Sequence, residues 1–299
     1  MGFLRNGVMV HDVRPSADDK MGGFFDSVKA DGSTQFAPEA GRYILYVSTG
    51  CPYAARPWML IKLLGLDSVI SVVRTFPGNG DDSWFFQPKD EFESYIVKQM
   101  ETNEGIVWDQ VEPTHGYSHL HQLYSHSEPN FTGTVSVPIL FDTKHDRIVN
   151  NESFDISKML IEEFTAFHNI QANFNLTETE ETKEFSAWLH SSLNTGVYKA
   201  HMSPNQAAFT KMSEMVYSSL DRVEERLTAQ PFLTGKNPHF LDLQLFATLI
   251  RYDPAYHSKF RLTKRSIMGN YPALWKYCQR VFALPGVHET VEVEGIKTT

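Results

Sequence analysis

The chain has 299 residues, 41% of them hydrophobic and 21% charged, which is typical of a globular protein with one large or two ordinary domains. A net charge of −9 without a basic cluster argues against a nucleic-acid partner. No apolar run is long enough to span a bilayer, no secretory signal opens the chain, and two cysteines do not make a disulfide framework, so we expect no membrane association and a cytoplasmic location.

The first signal for regular structure surrounds Cys51. Residues 1–40 are polar and rich in Gly, Asp and Ser, which predicts an extended N-terminal arm. The apolar run 43–47 then predicts a buried strand, and residues 53–64 have helical character. Proline is favoured at the first helical position, so Pro52 makes Cys51 the N-cap. A sulfur there faces free backbone N–H groups and the positive end of the helix dipole, and both favour the thiolate.

The surroundings of Cys51 restrict its chemistry. The position three residues later is Ala54, so the Cys-x-x-Cys pattern of a dithiol oxidoreductase is missing. The other cysteine, Cys278, lies far along the chain in a segment that predicts a core helix. A mixed disulfide on Cys51 must therefore be resolved by an outside thiol, for which glutathione is the natural candidate. The alternative is a buried, inert cysteine.

The next elements predict an α/β layer. Residues 69–73 predict a second strand, and a strand–helix–strand unit implies parallel pairing. Residues 75–133 are irregular, which predicts a functional insertion with short helices. Residues 135–141 predict a strand that contains Pro138, which must lie at an edge or in a cis turn. Residues 147–149 are expected to pair with that strand as a hairpin.

A second candidate site follows the hairpin. Ser153 is predicted to cap a helix over residues 154–167. Glu152 and Ser153 would then lie at a helix N-terminus, which binds anions readily and where serine can donate a hydrogen bond. The carboxylate of Glu152 suits an ammonium group beside the anion. A site for both groups fits an α-amino acid moiety.

From about residue 176 the pattern is helical only. Thr177-x-x-Glu180 predicts a capping box for a helix that ends near Val197. Ser203-Pro204 predicts the start of a second helix. Residues 240–250 predict a buried third helix, and Pro272 predicts the start of a fourth.

Taken in order, these motifs resemble the cytosolic glutathione transferases, and most closely the Xi class, the glutathionyl-hydroquinone reductases. The resemblance runs from about Gly22 to about Val281. It is carried by GRYILYVSTGCPYAARP, the aromatic cluster at Trp84, NFTGTVSVPILFD, IVNNESFDI, NTGVYKA and FLTGKNPHFLDLQLFATLIRYDPAY. It implies a thioredoxin-like α/β domain over residues 41–168, with an insertion at about 75–133, and an all-α C-terminal domain over residues 176–299. It also suggests a homodimer, and no metal is expected.

The resemblance further implies reduction of S-glutathionyl-hydroquinones, with glutathione as co-substrate and Cys51 as nucleophile. Tyr198 and Tyr256 match the tyrosines that the family brings over the cysteine from the helical domain; the alternative is that they are ordinary packed aromatics. Five residues match the family's glutathione site: Trp84, Val137, Pro138, Glu152 and Ser153. Val137 would contribute backbone pairing before a cis-Pro138.

Some residues depart from the family pattern, and two rival functions remain. Tyr53 and Ala55 replace the Trp and His of the usual Cys-Pro-Trp-Ala-His, Thr134 stands where an Arg commonly contacts glutathione, and His239 stands where a Ser or Thr cap is usual. These changes bear on affinity and substrate range. One rival is an Omega-like thioltransferase or dehydroascorbate reductase, against which the tyrosine pair and the insertion argue. The other is a non-catalytic ligand-binding protein on the same scaffold.

Overall fold

The computed structural model describes residues 2–10, 19, 21–77, 84–86, 112–170, 174–175 and 177–298. The chain divides into two compact units. The first comprises residues 1–61 and 66–167, and the second comprises residues 62–65 and 168–299. Within the described ranges, no helix has the length and apolar character needed to cross a membrane.

The described part of the first unit holds nine strands and three α-helices. The strands are β1 (Phe3–Arg5), β2 (Val8–Val10), β3 (Tyr43–Val47), β4 (Ile70–Arg74), β5 (Phe76–Pro77), β6 (Trp84–Phe85), β7 (Gly133–Thr134), β8 (Ile139–Asp142) and β9 (Arg147–Asn150). The helices are α1 (Pro52–Leu64), whose last turn is grouped with the second unit, α2 (Leu120–Ser127) and α3 (Ser153–Glu162), and a 3-10 turn follows at Thr165–Phe167.

The central sheet has the strand order β4-β3-β8-β9. Strand β3 runs parallel to β4 and antiparallel to β8, and β9 is antiparallel to β8. Every residue of β3 is buried, as expected for a strand covered on both faces. Since two antiparallel steps separate β9 from β3, these two strands point the same way. The carboxyl ends of β3 and β9 and the amino end of β8 therefore meet at one edge of the sheet, and this edge positions the candidate site.

The sequence predictions for this sheet are largely confirmed. The predicted strand at 43–47 and the helix start at Pro52 are as expected. The second strand occupies Ile70–Arg74, one residue later than predicted. Pro138 precedes β8 and does not lie within it, and its peptide bond with Val137 is cis, one of the two predicted outcomes.

The N-terminal arm is more ordered than predicted. Strands β1 and β2 form a hairpin whose turn places Asn6 and Gly7 at positive φ, and β1 also pairs with β7. The predictive signal was weak because only a short apolar run, which includes the buried Leu4, interrupts a polar stretch. Most of the insertion at 75–133 lies outside the described residues. Its described part holds β5, β6 and α2.

The described part of the second unit holds eight α-helices and three tighter or wider turns. The helices are α4 (Glu180–Leu189), α5 (Gly196–His201), α6 (Gln206–Ala229), α7 (Phe240–Arg251), α8 (His257–Lys259), α9 (Ile267–Asn270), α10 (Pro272–Phe282) and α11 (Val293–Thr298). Two π turns lie at His190–Asn194 and Tyr252–Tyr256, and a 3-10 turn lies at Val287–Thr290.

The predicted helices exist, but two predicted starts are wrong. The N-cap of α4 is Thr179 and not Thr177, because the Thr179 hydroxyl accepts from the N–H of Thr182 at 3.2 Å. The N-cap of α6 is Asn205, which lies just after the predicted Ser203-Pro204 start. The first predicted helix also does not continue to Val197, since a π turn interrupts it at His190.

Candidate active site

Cys51 lies at the edge of the sheet described above, between β3 and α1. Its C=O accepts from the N–H of Ala55 at 3.1 Å, which closes the first turn of α1 and makes Cys51 the N-cap, as predicted. The side chain is partly exposed and forms no disulfide. As a thiol, it donates to the C=O of Val137 at 3.4 Å. The fold thus brings Cys51 and Val137 together.

Arg56 brings a buried positive charge to the N-terminal half of α1. The first turn of α1 has no acidic residue, and Arg56 is 3% exposed, with its guanidinium 4.5 Å from the centre of the Tyr53 ring. Burial raises the pKa of Tyr53, and the positive charge of Arg56 offsets only part of that rise. Tyr53, a departure from the family pattern, therefore remains a neutral aromatic that can hold the cation. A buried cation and a helix N-terminus both favour an anion beside them.

Trp84 is tied to the same edge by the strand ribbon β5–β6. Thr75, between β4 and β5, donates to the C=O of Val47 with its N–H at 2.7 Å and its hydroxyl at 3.1 Å. Trp84 pairs with Pro77 in this ribbon and is 8% exposed. Its indole N–H has no hydrogen-bond partner among the described residues. Buried indole N–H groups usually find an acceptor, so Trp84 has a donor to offer a ligand.

Glu152 and Ser153 open α3 directly after β9, so they share the edge with Cys51. Glu152 is the N-cap, its side chain makes no cap hydrogen bond, and Ser153 is the first helical residue. The prediction that Ser153 caps the helix is therefore wrong by one residue, because the helix begins earlier than expected. Although Glu152 is exposed as a residue, packing around its carboxylate raises its pKa, and Asp155 adds to the effect. The N–H groups at the start of α3 and the Ser153 hydroxyl can meet an anion here.

The segment before β3 holds this helix start in place. Phe24 and Asn151 exchange two hydrogen bonds, from the Phe24 N–H to Asn151 Oδ1 at 2.8 Å and from the Asn151 N–H to the Phe24 C=O at 3.2 Å. Asn150 donates from its side chain to the C=O of Asp26 at 3.0 Å. The start of α3 is therefore fixed by contacts that leave the Glu152 side chain available.

The two predicted tyrosines come together within the second unit. The hydroxyl oxygens of Tyr198, on α5, and Tyr256, at the end of a π turn, are 3.1 Å apart. Phe260 stacks on the Tyr256 ring at 4.8 Å and lies edge-on to Tyr198 at 5.2 Å. Phe260 was not predicted as a neighbour of these tyrosines, although it lies four residues after Tyr256, a spacing that places two side chains on one face of a helix. π turns occur frequently at functional sites.

The other two departures from the family pattern have structural roles. Thr134 is a strand residue of β7 that pairs with Phe3. His239 caps α7, because its Nδ1 accepts from the N–H of Leu241 at 3.1 Å. A histidine thus takes the place of the usual Ser or Thr.

Comparisons with known proteins agree with this architecture. The family model described as Glutathione S-transferase, N-terminal domain matches residues 50–163, and the one described as Glutathione S-transferase, C-terminal domain matches residues 206–280. Glutathionyl-hydroquinone reductase YqjG from Escherichia coli (strain K12) is 34% identical over 268 residues, which are 89% of this chain and 76% of the relative.

Two solved structures extend the likeness to the whole fold. A Xi class GST from Natrialba magadii has a TM-score of 0.86 at 30% identity and covers 99% of this chain and 87% of its own. The glutathione-bound structure of YqjG from Escherichia coli K-12 has a TM-score of 0.82 at 30% identity, with coverage of 99% and 89%. The chain therefore belongs to the glutathione S-transferase family and, within it, to the Xi class, the glutathionyl-hydroquinone reductases.

Proposed function

We propose that this protein reduces S-glutathionyl-hydroquinones to hydroquinones with glutathione as reductant. The observation that carries the proposal is one partly exposed cysteine, Cys51, at the start of α1, on the same sheet edge as the open start of α3. The 34% identity to a glutathionyl-hydroquinone reductase supports the choice of substrate class. As parts of the same proposal, the enzyme acts in the cytoplasm, for which its two free cysteines argue, and as a homodimer, which rests on the family resemblance alone.

Polar groups at this sheet edge can bind both the γ-glutamyl group and the peptide part of glutathione. The γ-glutamyl carboxylate would accept from the first N–H groups of α3 and from the Ser153 hydroxyl, and its ammonium would pair with Glu152. The backbone of Val137, which already contacts the Cys51 sulfur, would pair with the peptide part of glutathione. Trp84 would donate its indole N–H. These contacts would place the sulfur of the glutathionyl group beside Cys51.

The chemistry is thiol exchange extended to a carbon–sulfur bond. The Cys51 thiolate attacks the glutathionyl sulfur, a disulfide forms between Cys51 and glutathione, and the aryl carbon–sulfur bond breaks. The electron pair of the broken bond stays on the ring carbon, which takes a proton. A glutathione thiolate then attacks the mixed disulfide and releases oxidised glutathione and the Cys51 thiolate. One substrate and one glutathione thus give one hydroquinone and one oxidised glutathione.

Tyr198 or Tyr256 would supply the proton to the ring. Their hydroxyls share one hydrogen bond, so one hydroxyl can donate to its neighbour while the other donates to substrate. A positioned general acid typically contributes about 10²–10⁴-fold to a rate. Without it, the ring would leave as an unprotonated carbanion, which is a poor leaving group.

One assay tests the function. The purified protein is mixed with glutathionyl-menadione or a glutathionyl-benzohydroquinone and excess glutathione, and the hydroquinone and oxidised glutathione are quantified. We expect them in equal amounts and no turnover by Cys51→Ser. An Omega-like thioltransferase would reduce a mixed disulfide or dehydroascorbate but leave the thioether intact, and a binding protein would do neither. Either result would contradict the proposal.

A further inference from the structure

Three potential metal ligands meet in the first unit, outside the residues assigned to glutathione. The ligand atoms of His115, His126 and Asp146 all lie within 4.8 Å of one another. Nε2 of His115 is 3.0 Å from Asp146 Oδ1, and Nε2 of His126 is 2.9 Å from Asp146 Oδ2. We propose that this trio is a binding site for a divalent transition metal, with zinc as the ion of choice. No metal was expected from the sequence alone.

The proton on His115 can be located from its neighbours. The hydroxyl of Thr114 donates to Glu112 Oε1 at 2.6 Å, so toward His115 Nδ1, also at 2.6 Å, it must act as acceptor. Glu112 also accepts from the Tyr46 hydroxyl at 2.6 Å and from the backbone N–H groups of Thr114 at 3.0 Å and His115 at 2.7 Å, so its carboxylate acts as an acceptor. Nδ1 of His115 therefore carries a hydrogen, so a neutral ring directs the lone pair of Nε2 toward Asp146.

A lone pair that faces a carboxylate oxygen at this distance is repelled by it, and a cation between the two atoms removes the repulsion. Nε2 of His126 faces the other oxygen of Asp146, and its Nδ1 lies 3.1 Å from the Tyr117 hydroxyl, which can accept the ring hydrogen. One divalent ion satisfies both nitrogens and the carboxylate. Metal-bound histidines almost always hydrogen-bond through the other ring nitrogen, as both do here.

The three ligands are held in place by different elements. His115 belongs to a turn anchored by the buried Glu112, which accepts from the Tyr46 hydroxyl of β3 at 2.6 Å and from the His115 N–H at 2.7 Å. His126 lies on α2. Asp146 lies in the turn between β8 and β9 at φ +55°, a left-handed conformation that aspartate tolerates better than most residues. Rigid support of this kind favours a preformed site.

The ligand set selects the class of metal. Two imidazoles and a carboxylate are a known zinc set, whereas calcium and magnesium prefer oxygen ligands. In a tetrahedral zinc site neighbouring ligand atoms lie about 3.3 Å apart, close to the nitrogen–oxygen distances here. The side chains of His115, His126 and Asp146 are 21%, 28% and 50% exposed, so water can fill the fourth position. A bound ion would join the segment around α2 to the β8–β9 hairpin.

The test uses the full chain without a histidine tag, stripped of metal, in the Cys51→Ser background so that the thiolate cannot bind the ion. Calorimetric titration with zinc chloride should give one zinc per chain. Cobalt(II) should give a d–d absorption spectrum without a thiolate charge-transfer band. His126→Asn, and separately Asp146→Asn, should weaken zinc binding by more than ~100-fold, the upper end of what loss of an outer-shell partner alone costs.

A histidine on the same helix provides the matched control. His121→Asn should bind zinc as tightly as the parent chain, and zinc should raise the Tm of both but not that of His126→Asn. Asp146→Asn can keep the left-handed backbone, so it serves if His126→Asn fails to fold. The proposal is overturned if the parent chain binds no stoichiometric zinc, if His121→Asn weakens binding as much as His126→Asn, or if neither ligand variant weakens it.

Discussion

The N-termini of α3 and α7 differ in whether side chains cap their first turn. At α7, His239 and Asp242 close the first turn: His239 Nδ1 accepts from the Leu241 N–H at 3.1 Å, and Asp242 Oδ2 accepts from the His239 N–H at 2.8 Å. Both residues are buried. At α3 the N-cap Glu152 is exposed and makes no side-chain cap bond. A helix start that is capped and buried stabilises the fold, while one left open can bind a ligand.

The same contrast between a group held in the core and a group left accessible to a ligand separates the two cysteines and the tyrosines. Cys51 sits at a helix start and is partly exposed, whereas Cys278 lies inside α10 at 3% exposure, where burial raises its pKa. The Tyr277 hydroxyl donates into the core, to Asp242 at 3.0 Å. The hydroxyls of Tyr198 and Tyr256 instead bond to each other. In each pair, burial and partners separate a candidate reactive group from a structural one.

The largest expected effect separates the two cysteines. Cys51→Ser should lower reductase activity to background, a loss of at least ~1000-fold, because it removes the nucleophile. Cys278→Ala should leave the activity per folded molecule unchanged and only reduce stability, since it leaves a small cavity in the core. Mass spectrometry after treatment with oxidised glutathione should find one glutathione, on Cys51. Adduct on Cys278 alone would reverse the assignment.

The next effect concerns the tyrosines. The double change Tyr198→Phe and Tyr256→Phe keeps both rings and deletes both hydroxyls. It should slow reduction of a glutathionyl-hydroquinone by at least ~100-fold, because the ring loses its acid. Reduction of the mixed disulfide of 2-mercaptoethanol and glutathione should change only a few-fold, since thiol exchange needs no such acid.

Tyr277→Phe is the matched control for this double change. It should cost about 1 kcal/mol of unfolding free energy through the lost hydrogen bond to Asp242 and leave both activities intact. Equal losses of both activities in the Tyr198 and Tyr256 double variant would assign these tyrosines to positioning glutathione. No loss of either activity would make them packing residues and favour an Omega-like function.

Local signals predicted much of the first unit. A short apolar run and a proline at the first helical position predict β3 and α1 because neither depends on distant residues. The pairing of β1 with β7 joins Phe3 to Thr134, which are far apart in sequence, and no local pattern encodes it. The predicted start of α4 was wrong for another reason. Thr177 and Thr179 offer the same capping group, and the hydrogen bonds formed with Asn175 and Thr182 separate their roles.

The candidate sites differ in the same way. Cys51 was predictable because its N-cap position follows from adjacent residues. Its contact with Val137 was not predicted, because it joins two separate segments, and the family resemblance named Val137 only as part of the glutathione site. His115, His126 and Asp146 come from a turn, a helix and a hairpin, so neither a motif nor a helical spacing links them. Only the folded chain brings their ligand atoms together.

A smaller effect compares the two carboxylates. Glu152→Gln should weaken glutathione binding by about 1.5–3 kcal/mol, the usual scale for a charged hydrogen bond, with little change in stability because the residue is exposed. Asp242→Asn should lower the free energy of unfolding and leave glutathione binding unchanged. Its carboxylate accepts from Leu233, His239 and Tyr277 in the core. Calorimetry in the Cys51→Ser background and urea unfolding measure the two quantities. Unchanged glutathione affinity in Glu152→Gln would place the γ-glutamyl group elsewhere.

The smallest effect is a pH dependence at the start of α7. Nδ1 of His239 accepts from the Leu241 N–H, and its Nε2 lies 3.1 Å from the C=O of Thr177, so the neutral ring with hydrogen on Nε2 fits both contacts. Burial lowers the pKa of His239 below its ordinary value of 6.5. The unfolded chain therefore binds the proton first as pH falls. The contribution of His239 is fully present above about pH 6.5 and is lost as pH drops through the lower folded pKa.

His239→Ser isolates this contribution, because serine caps a helix without titrating. Between pH 7.5 and pH 5, wild type should lose about 1 kcal/mol more unfolding free energy than His239→Ser, the typical worth of a cap, as measured by urea unfolding. Asp242, whose pKa burial raises to about 6, acts in the opposite direction, and both it and Glu178 are present in each protein, so their effects largely cancel in the comparison. Identical pH slopes in the two proteins would mean that protonation of His239 leaves the cap intact and that Asp242 alone closes this helix start.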